Sequence, residues 1–298
     1  MKYCVSSYSF AKAVKAGVMT EFNTIAKAKE MGFDAMEFSG LSVPEGGNIL
    51  DVAKSYREEA ARVGIEIVNF CASADMMAGS NGDLAAEVAR VQKMVDVAAT
   101  LGVKTMRQDP GWGRFPENWT DLQTFDAALP RIVQGLREIT EYAQTKGIKT
   151  MIENHGYFVQ ESLRVEKLLN AVNHPNFGLL IDIGNFICAD DDPAVAVGRL
   201  APFALHVHIK DFHLKPGTLP WPGQGWNQSR GGNWWRGAII GHGNVPVHQC
   251  IRTLLKYGYD GALSVEVEGM EDPLLGISIG LANIKRFVQL AQIIDQAQ

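Results

Sequence analysis

The segment HVHIKDFH, at positions 206–213, places three histidines, a lysine and an aspartate directly after an apolar run. Imidazole and carboxylate groups this close together could bind a metal, transfer protons or form a polar edge without chemistry. Other apolar runs also end in carboxylates: Glu153 in MIENHG, Asp182 in LLIDIGN, and Glu266 with Glu268 in LSVEVEG. The sequence therefore repeats one pattern, an acidic or imidazole group near the end of an apolar segment.

These residue types together predict a divalent metal site. Two glutamates, an aspartate and a histidine form an oxygen-rich set of ligands that suits Mn²⁺, Mg²⁺ or Co²⁺, with Zn²⁺ as a further option. Carboxylates buried together without a cation would repel one another, and their pKa values would rise. Side chains alternate along a strand, so His206 and His208 point the same way, as do Glu266 and Glu268. One member of each pair would lie deeper, and we expect His206 to lie deeper than His208.

The spacing of the apolar segments predicts the elements that bring these groups together. Strands are expected at 2–7, 34–39, 65–72, 105–110, 149–155, 178–183, 204–211 and 262–268. Amphipathic segments predict helices at 20–31, 50–63, 82–100, 121–146, 162–173, 244–257 and 275–296. Several strands follow a glycine that could end the preceding helix: Gly32, Gly64, Gly102 and Gly147.

About eight β-α units without an obvious linker predict a single α/β domain over 1–298, a (β/α)₈ TIM barrel whose strand ends meet at one mouth. An open doubly wound sheet is the alternative. It would usually carry a glycine-rich phosphate loop after the first strand, whereas the first strand here ends in SSYSF.

Residues 212–243 interrupt the β-α pattern with eight glycines, three prolines and four of the six tryptophans. This segment predicts a long Gly/Trp-rich loop after strand seven, above the mouth where TIM-barrel active sites lie. Tryptophan stacks on the C–H faces of sugars, so the loop could cover a glycoside. The alternative is an oligomer contact or a loop with a small core of its own.

Composition excludes several classes of function. A net charge of −5 and a pI of about 5.8 argue against a chain that binds nucleic acid through bulk charge. The sequence shows neither a long apolar span nor the apolar region of a signal peptide, so no membrane partner is expected. Four widely spaced cysteines without a CxxC pair predict reduced thiols and a cytoplasmic protein.

The motifs IENHG, LLIDIGN, HVHIKD and LSVEVEG resemble the four metal-site strands of the xylose isomerase-like TIM barrels. That superfamily includes sugar phosphate isomerases/epimerases, ketose 3-epimerases, inosose dehydratases, hydroxypyruvate isomerases and endonuclease IV. The resemblance implies one divalent ion, Mn²⁺ before the alternatives above, bound by Glu153, Asp182, His208 and Glu266. It also implies that Glu153 and Glu266 form the acid/base pair. Lys210 could support an oxyanion, or instead form a salt bridge with Asp211.

Six further residues near the expected mouth are candidates for substrate binding: Glu37, Arg107, His155, Asn185, Trp235 and His242. Asn185 stands where ketose 3-epimerases and endonuclease IV are expected to have a histidine. Strands three and four also supply no histidine, which argues against the trinuclear zinc site of an endonuclease IV-like enzyme.

The sequence therefore predicts a metal-dependent isomerase or epimerase in carbohydrate metabolism, acting on a sugar or a related keto or polyol compound. The same residues would serve a dehydratase or lyase acting on an inosose or a 3-keto-glycoside. A non-catalytic sugar-binding subunit and an endonuclease IV-like enzyme are further alternatives. Resemblance to the superfamily also implies a homo-oligomer.

Overall fold

Eight parallel strands close into a barrel in a computed structural model that describes residues 1–113 and 124–296. The barrel strands are β1 Lys2–Ser6, β2 Ala35–Ser39, β3 Glu66–Ala72, β4 Thr105–Gln108, β5 Lys149–Glu153, β6 Phe177–Asp182, β7 Ala204–Ile209 and β11 Ala262–Val265. Neighbouring strands follow the chain, and β11 closes the barrel by pairing with both β7 and β1. Each strand coincides with a predicted strand, so the (β/α)₈ architecture is confirmed.

The helices lie outside the barrel and link successive strands. They are α1 Ala11–Lys15, α2 Asn23–Glu30, α3 Ile49–Val63, α4 Leu84–Leu101, α5 Phe125–Thr145, α6 Ser162–Val172, α7 Pro193–Leu200, α8 Val247–Lys256 and α9 Pro273–Gln296. Short 3₁₀ turns occupy Ser7–Phe10, Gly79–Gly82, Asn185–Ala189 and Ala201–Phe203. The helix predicted at 121–146 begins at positions outside the described residues, and α5 is described from Phe125.

Local sequence signals fix where several helices begin and end. The side chains of Asp83 and Asp192 accept backbone N–H groups in the first turns of α4 and α7. Gly64 and Gly102 adopt left-handed φ values of 72° and 84° and end α3 and α4, as the helix–glycine–strand pattern predicts. The amphipathic pattern does not predict α7, although Asp192 followed by proline is a typical helix start.

The hydrophobic core lies between the outer face of the barrel and the helices. The C-terminal helix contributes Ile277, Leu281, Ile284, Val288 and Ala291 to this core. Its stretch Pro273–Ile294 is long and apolar enough to cross a membrane by length and composition alone, with a mean hydropathy of 1.2. The core helix of a soluble protein meets the same criterion, and α9 packs against α8.

The Gly/Trp-rich insertion contains three antiparallel strands, β8 Asp211–Lys215, β9 Asn227–Gln228 and β10 Trp234–Ala238, in the order β8-β10-β9. Asp190 attaches this insertion sheet to the barrel, because its carboxylate accepts hydrogen bonds from Ser229 Oγ at 2.7 Å and Asn233 Nδ2 at 2.8 Å. On the other side, Gly237 packs so closely that a Cβ there would lie 1.3 Å from the carbonyl oxygen of Glu268. The insertion is thus fixed against the segment that follows β11.

Candidate active site

Five ionisable side chains meet at the C-terminal ends of β5, β6, β7 and β11. They are Glu153, Asp182, His208, Lys210 and Glu266, and each is buried. Ligand atoms of Glu153, Asp182 and His208 all lie within 4.8 Å of one another. The parallel barrel brings together residues that are far apart in sequence, because equivalent strand ends share one mouth.

His208 is at the centre of this cluster. Its Nδ1 atom lies 2.6 Å from Glu266 Oε2, 3.5 Å from Glu153 Oε1 and 4.0 Å from Asp182 Oδ2. The other ring nitrogen, Nε2, lies 2.6 Å from Glu37 Oε1. One edge of the imidazole therefore faces three carboxylates, and the opposite edge faces a fourth.

Glu37 lies beneath the cluster and is fully buried. Its carboxylate accepts hydrogen bonds from Asn69 Nδ2 at 2.7 Å and Ser264 Oγ at 2.8 Å, and it lies 3.1 Å from His206 Nε2. The sequence predicts a substrate contact for Glu37, but Glu37 does not line the cavity above the cluster, and all its described contacts are with protein side chains. His206, predicted to lie deeper than His208, contacts this same carboxylate.

Lys210 extends into the cluster from above. Its Nζ atom lies 2.9 Å from Asp182 Oδ2 and 2.7 Å from Glu266 Oε1, and it donates a hydrogen bond to Asn185 Oδ1 at 3.2 Å. The alternative salt bridge with Asp211 is not formed. Asp211 instead accepts backbone N–H groups from Phe212, Gly241, Gly243 and Val245.

A second group of polar side chains holds Glu153 from the other side. Arg107 Nε lies 3.0 Å from Glu153 Oε2, while its Nη1 lies 2.5 Å from Asp109 Oδ2. Asn185 Nδ2 donates to Glu153 Oε1 at 3.1 Å. His155 Nδ1 lies 3.4 Å from Asp109 Oδ1. Arg107, His155 and Asn185, predicted as substrate-binding residues, therefore lie beside the central cluster.

Burial and neighbouring charges separate the acidities of the three carboxylates. Burial raises the pKa of Asp182 to about 6, with Glu266 and Glu153 adding to the rise and Lys210 opposing it. Burial also opposes ionisation of Glu266, but Lys210 and His208 outweigh it and lower the pKa of Glu266 to about 2. The pKa of Glu153 is lowered because Arg107 and His155 outweigh the same effect of burial.

The central donors fit a divalent cation. His208 Nδ1, Asp182 Oδ2 and Glu153 Oε2 are buried, and each lies within 3.0 Å of a charged group, but none of these contacts has hydrogen-bond geometry. Buried polar atoms normally form well-oriented hydrogen bonds, so ligand groups that lie within 4.8 Å of one another without them are suited to bind a cation. Three carboxylate side chains and one imidazole are suitable ligands for Mn²⁺ or Mg²⁺.

A cavity of about 400 Å³ opens above the cluster. The sequence does not single out several of the residues that line it as substrate contacts: Ser6, Tyr8, Ser39, Ser73, Asp109, Trp112 and Glu268. Glu268 could have been found, because it alternates with Glu266 and is expected to point the same way. The other lining residues belong to no recognisable motif. Tyr8, Ser73 and Trp112 lie beyond strand ends, where the alternation of side chains along a strand no longer predicts which way a side chain points.

Four of the six predicted substrate contacts do not line this cavity: Glu37, Asn185, Trp235 and His242. Glu37 and Asn185 are buried beside the central cluster. Trp235 belongs to β10, and its ring packs against Phe212 with a centroid distance of 4.8 Å. His242 is exposed in the turn whose neighbouring amides bind Asp211. Trp235 and His242 both belong to the insertion, whose strands β8, β10 and β9 pair with one another and not with the barrel strands.

Comparison with known proteins places this chain in a family. Residues 25–287 match the family described as "Xylose isomerase-like TIM barrel". L-ribulose-5-phosphate 3-epimerase UlaE of Salmonella heidelberg (strain SL476) is 24% identical, with 97% of this chain and 96% of the relative covered.

Solved structures share the fold at low identity. A structure of L-ribulose 3-epimerase has a TM-score of 0.74 at 17% identity, with 99% of this chain and 97% of that chain covered. A xylose isomerase-like TIM barrel protein from Mycobacterium smegmatis, solved in complex with magnesium, has a TM-score of 0.72 at 20% identity. In that case 97% of both chains is covered. The chain belongs to the xylose isomerase-like TIM barrel family.

Proposed function

We propose that this protein is a metal-dependent isomerase or epimerase that acts on a sugar or a related keto or polyol compound. The observation that carries the proposal is the convergence of Glu153, Asp182, His208 and Glu266 below a 400 Å³ cavity. The sugar epimerases among the related proteins support the same class of reaction.

One divalent ion, Mn²⁺ or Mg²⁺, would be held by Glu153, Asp182, His208 and Glu266. A bound ion of this kind would polarise a carbonyl of the substrate and so acidify the adjacent C–H bond. The structure of a magnesium-bound protein with the same fold supports this type of ion.

Glu153 and Glu266 are the proposed acid/base pair. They extend from β5 and from the end of β11, which are separated by β6 and β7 on one side and by β1 to β4 on the other. They therefore approach a ligand in the cavity from different directions. One carboxylate would remove a proton from carbon while the other returns a proton, at the same carbon for epimerisation or at the neighbouring carbon for isomerisation.

Neighbouring side chains orient both carboxylates. Arg107 and Asn185 contact different oxygens of Glu153, while Lys210 and His208 contact different oxygens of Glu266. Lys210 would also stabilise negative charge that develops on a substrate oxygen. Arg107 and His155, which line the cavity, would contribute polar contacts to substrate hydroxyl groups, whereas Asn185 would position Glu153.

The test is exchange of substrate hydrogen with solvent deuterium. Metal-loaded protein in D₂O, incubated with a panel of ketoses and inososes, should place deuterium at the carbon beside the carbonyl. Glu153→Gln and Glu266→Gln should each abolish exchange, whereas Glu161→Gln, which lies in an ion pair outside the cavity, should retain it. A substrate that instead loses a hydroxyl or alkoxide would replace this proposal with the dehydratase or lyase alternative. Absence of exchange across the panel would contradict the isomerase class.

We further propose that the whole chain acts as one barrel domain in the cytoplasm, as a homo-oligomer without nucleic-acid or membrane partners. The acidic balance of the sequence and the behaviour of the superfamily support this proposal. Light scattering of the purified protein would test the oligomer.

A further inference from the structure

The side chains that line the cavity differ from those of a phosphate site. Phosphate groups are typically bound by arginine or lysine side chains with free N–H donors, or by backbone amides at a helix N-terminus. Among the described residues that line this cavity, the only arginine is Arg107 and the only lysine is Lys210. Both lie deep in the site, and each is nearly fully buried.

Both cations are already neutralised by carboxylates. Arg107 lies within 3.0 Å of Asp109 and Glu153, and Lys210 lies within 2.9 Å of Asp182 and Glu266. A phosphate that captured either cation would leave two buried carboxylates without their partner. Breaking buried ion pairs in this way is strongly unfavourable.

The negative charge of the cavity also opposes binding of a phosphate group. Asp109, Glu153, Glu266 and Glu268 line it, and Asp182 lies at its floor. Arg107, Lys210 and one divalent ion would together supply four positive charges against these five carboxylates. The described part of the wall therefore does not become a net positive surface even when the proposed metal is bound.

Glu268 places negative charge on the more exposed part of the cavity wall. It is half-buried, whereas Glu153 and Asp182 are buried. Its Oε2 accepts a hydrogen bond from the Tyr8 hydroxyl at 3.1 Å, which fixes the carboxylate at the cavity wall. Because Glu268 is not one of the proposed metal ligands, its charge can be removed without changing the donors of the metal site.

The same wall offers hydroxyl groups. Ser6, Tyr8, Ser39 and Ser73 line the cavity with Trp112, whose ring could lie against the C–H face of a sugar. Hydroxyls and carboxylates together can donate to and accept from the hydroxyls of an uncharged sugar. A polyhydroxylated neutral ligand matches this lining better than an anion does.

We propose that the cavity selects uncharged keto or polyol sugars and discriminates against their phosphate esters, with Glu268 as a residue that imposes the discrimination. This inference rests on the proposed function for its chemistry, but not for its binding preference. It separates this chain from its relative whose name specifies a 5-phosphate substrate.

The first arm of the test measures binding without turnover. Metal-loaded protein is titrated with inorganic phosphate, with a five-carbon sugar alcohol and with the corresponding sugar-alcohol phosphate, and ligand binding is followed by calorimetry and thermal shift. The neutral sugar alcohol should bind at least about tenfold more tightly than its phosphate, because like charges brought together at a binding surface repel. Equal or tighter binding of the phosphate would overturn the inference.

The second arm compares variants. Glu268→Gln removes one negative charge at nearly constant shape and should reduce the preference for the neutral ligand about tenfold. Glu30→Gln, an exposed helix residue outside the cavity, changes net charge equally and should leave the preference unchanged. An unchanged preference in Glu268→Gln would contradict the role of Glu268.

Solvent deuterium exchange then separates the two proposals. Exchange with free ketoses but much less with their phosphates supports both proposals, and exchange mainly with the phosphates overturns the selectivity. If neither class exchanges, the proposed isomerase function fails, while the binding arm still decides whether the cavity prefers uncharged ligands.

Discussion

His208 Nε2 lies 2.6 Å from Glu37 Oε1, on the edge of the imidazole opposite the three carboxylates of the candidate metal site. A carboxylate at this position favours the proton on Nε2 and leaves the lone pair of Nδ1 directed towards Glu153, Asp182 and Glu266. Glu37 would therefore set the form of the histidine that can bind a cation.

Glu37→Gln should weaken binding of Mn²⁺ by roughly 10- to 100-fold, the effect usual for a residue that supports a metal ligand. Calorimetric titration of the metal-free protein would measure this change. Ser264→Ala is the matched control, because it removes the 2.8 Å hydrogen bond to the same oxygen but keeps the carboxylate charge. An equal loss in both variants would show that the charge of Glu37 is not what matters.

Lys210→Met should separate metal binding from turnover. The ammonium group competes with a cation for Asp182 and Glu266, so the variant should bind Mn²⁺ as tightly as the wild type or more tightly. Solvent exchange of substrate hydrogen should fall by about 10²- to 10³-fold, because a donor to the developing oxyanion is lost. Lys215→Met, on the insertion sheet, should leave both properties unchanged; loss of metal binding in Lys210→Met would contradict this account.

Gly237→Ala should destabilise the fold, because the added Cβ would lie 1.3 Å from the carbonyl oxygen of Glu268. The expected decrease in the free energy of unfolding is roughly 1–3 kcal/mol, as for other overpacked sites. Gly198→Ala, in α7, meets no atom within 4 Å and should instead stabilise the helix by about 0.5–1 kcal/mol. Denaturant unfolding of both variants measures the difference, and effects of the same sign would argue against the close contact.

Glu87→Gln should lower the free energy of unfolding at neutral pH. It should also make that free energy depend less strongly on pH in the acidic range. Burial raises the pKa of this carboxyl, but Arg90, the Asp75 amide and the Ser80 hydroxyl outweigh burial and lower it. A lowered pKa in the folded state means that the stabilisation is present above the unfolded pKa of about 4.3 and is lost as the pH falls. We expect a loss of about 1–2 kcal/mol at pH 7 that shrinks towards pH 3. A loss that is constant with pH would contradict this origin.

Much of the fold could be predicted because each strand carries its own local signal. Glycines such as Gly64 and Gly102 mark the ends of helices, and short apolar runs mark the strands that follow. Helix α7, from Pro193 to Leu200, escapes prediction because it follows a 3₁₀ turn that is itself apolar, which hides the start of its amphipathic pattern. The pairing of β8 with β10 joins residues across a Gly-rich segment, which no local pattern specifies.

The central cluster could be predicted for a similar reason, since equivalent strand ends must meet in a closed barrel. The environment of each group in the cluster could not be predicted in this way. Glu37 is buried because Ser264 and Asn69 come from other strands and bind its carboxylate. Asp109 and Tyr8 lie after strand ends, where the chain leaves the regular alternation and side-chain direction depends on loop conformation.

The central claim is a divalent metal site formed by Glu153, Asp182, His208 and Glu266, and metal content tests it most directly. Wild-type protein, His208→Ala and Glu266→Gln should be purified in parallel and analysed for bound metals by mass spectrometry. The account predicts about one divalent ion per chain in the wild type, lost or greatly weakened in His208→Ala. Wild-type protein that binds no ion, even after incubation with Mn²⁺, Co²⁺ and Zn²⁺, would contradict the claim.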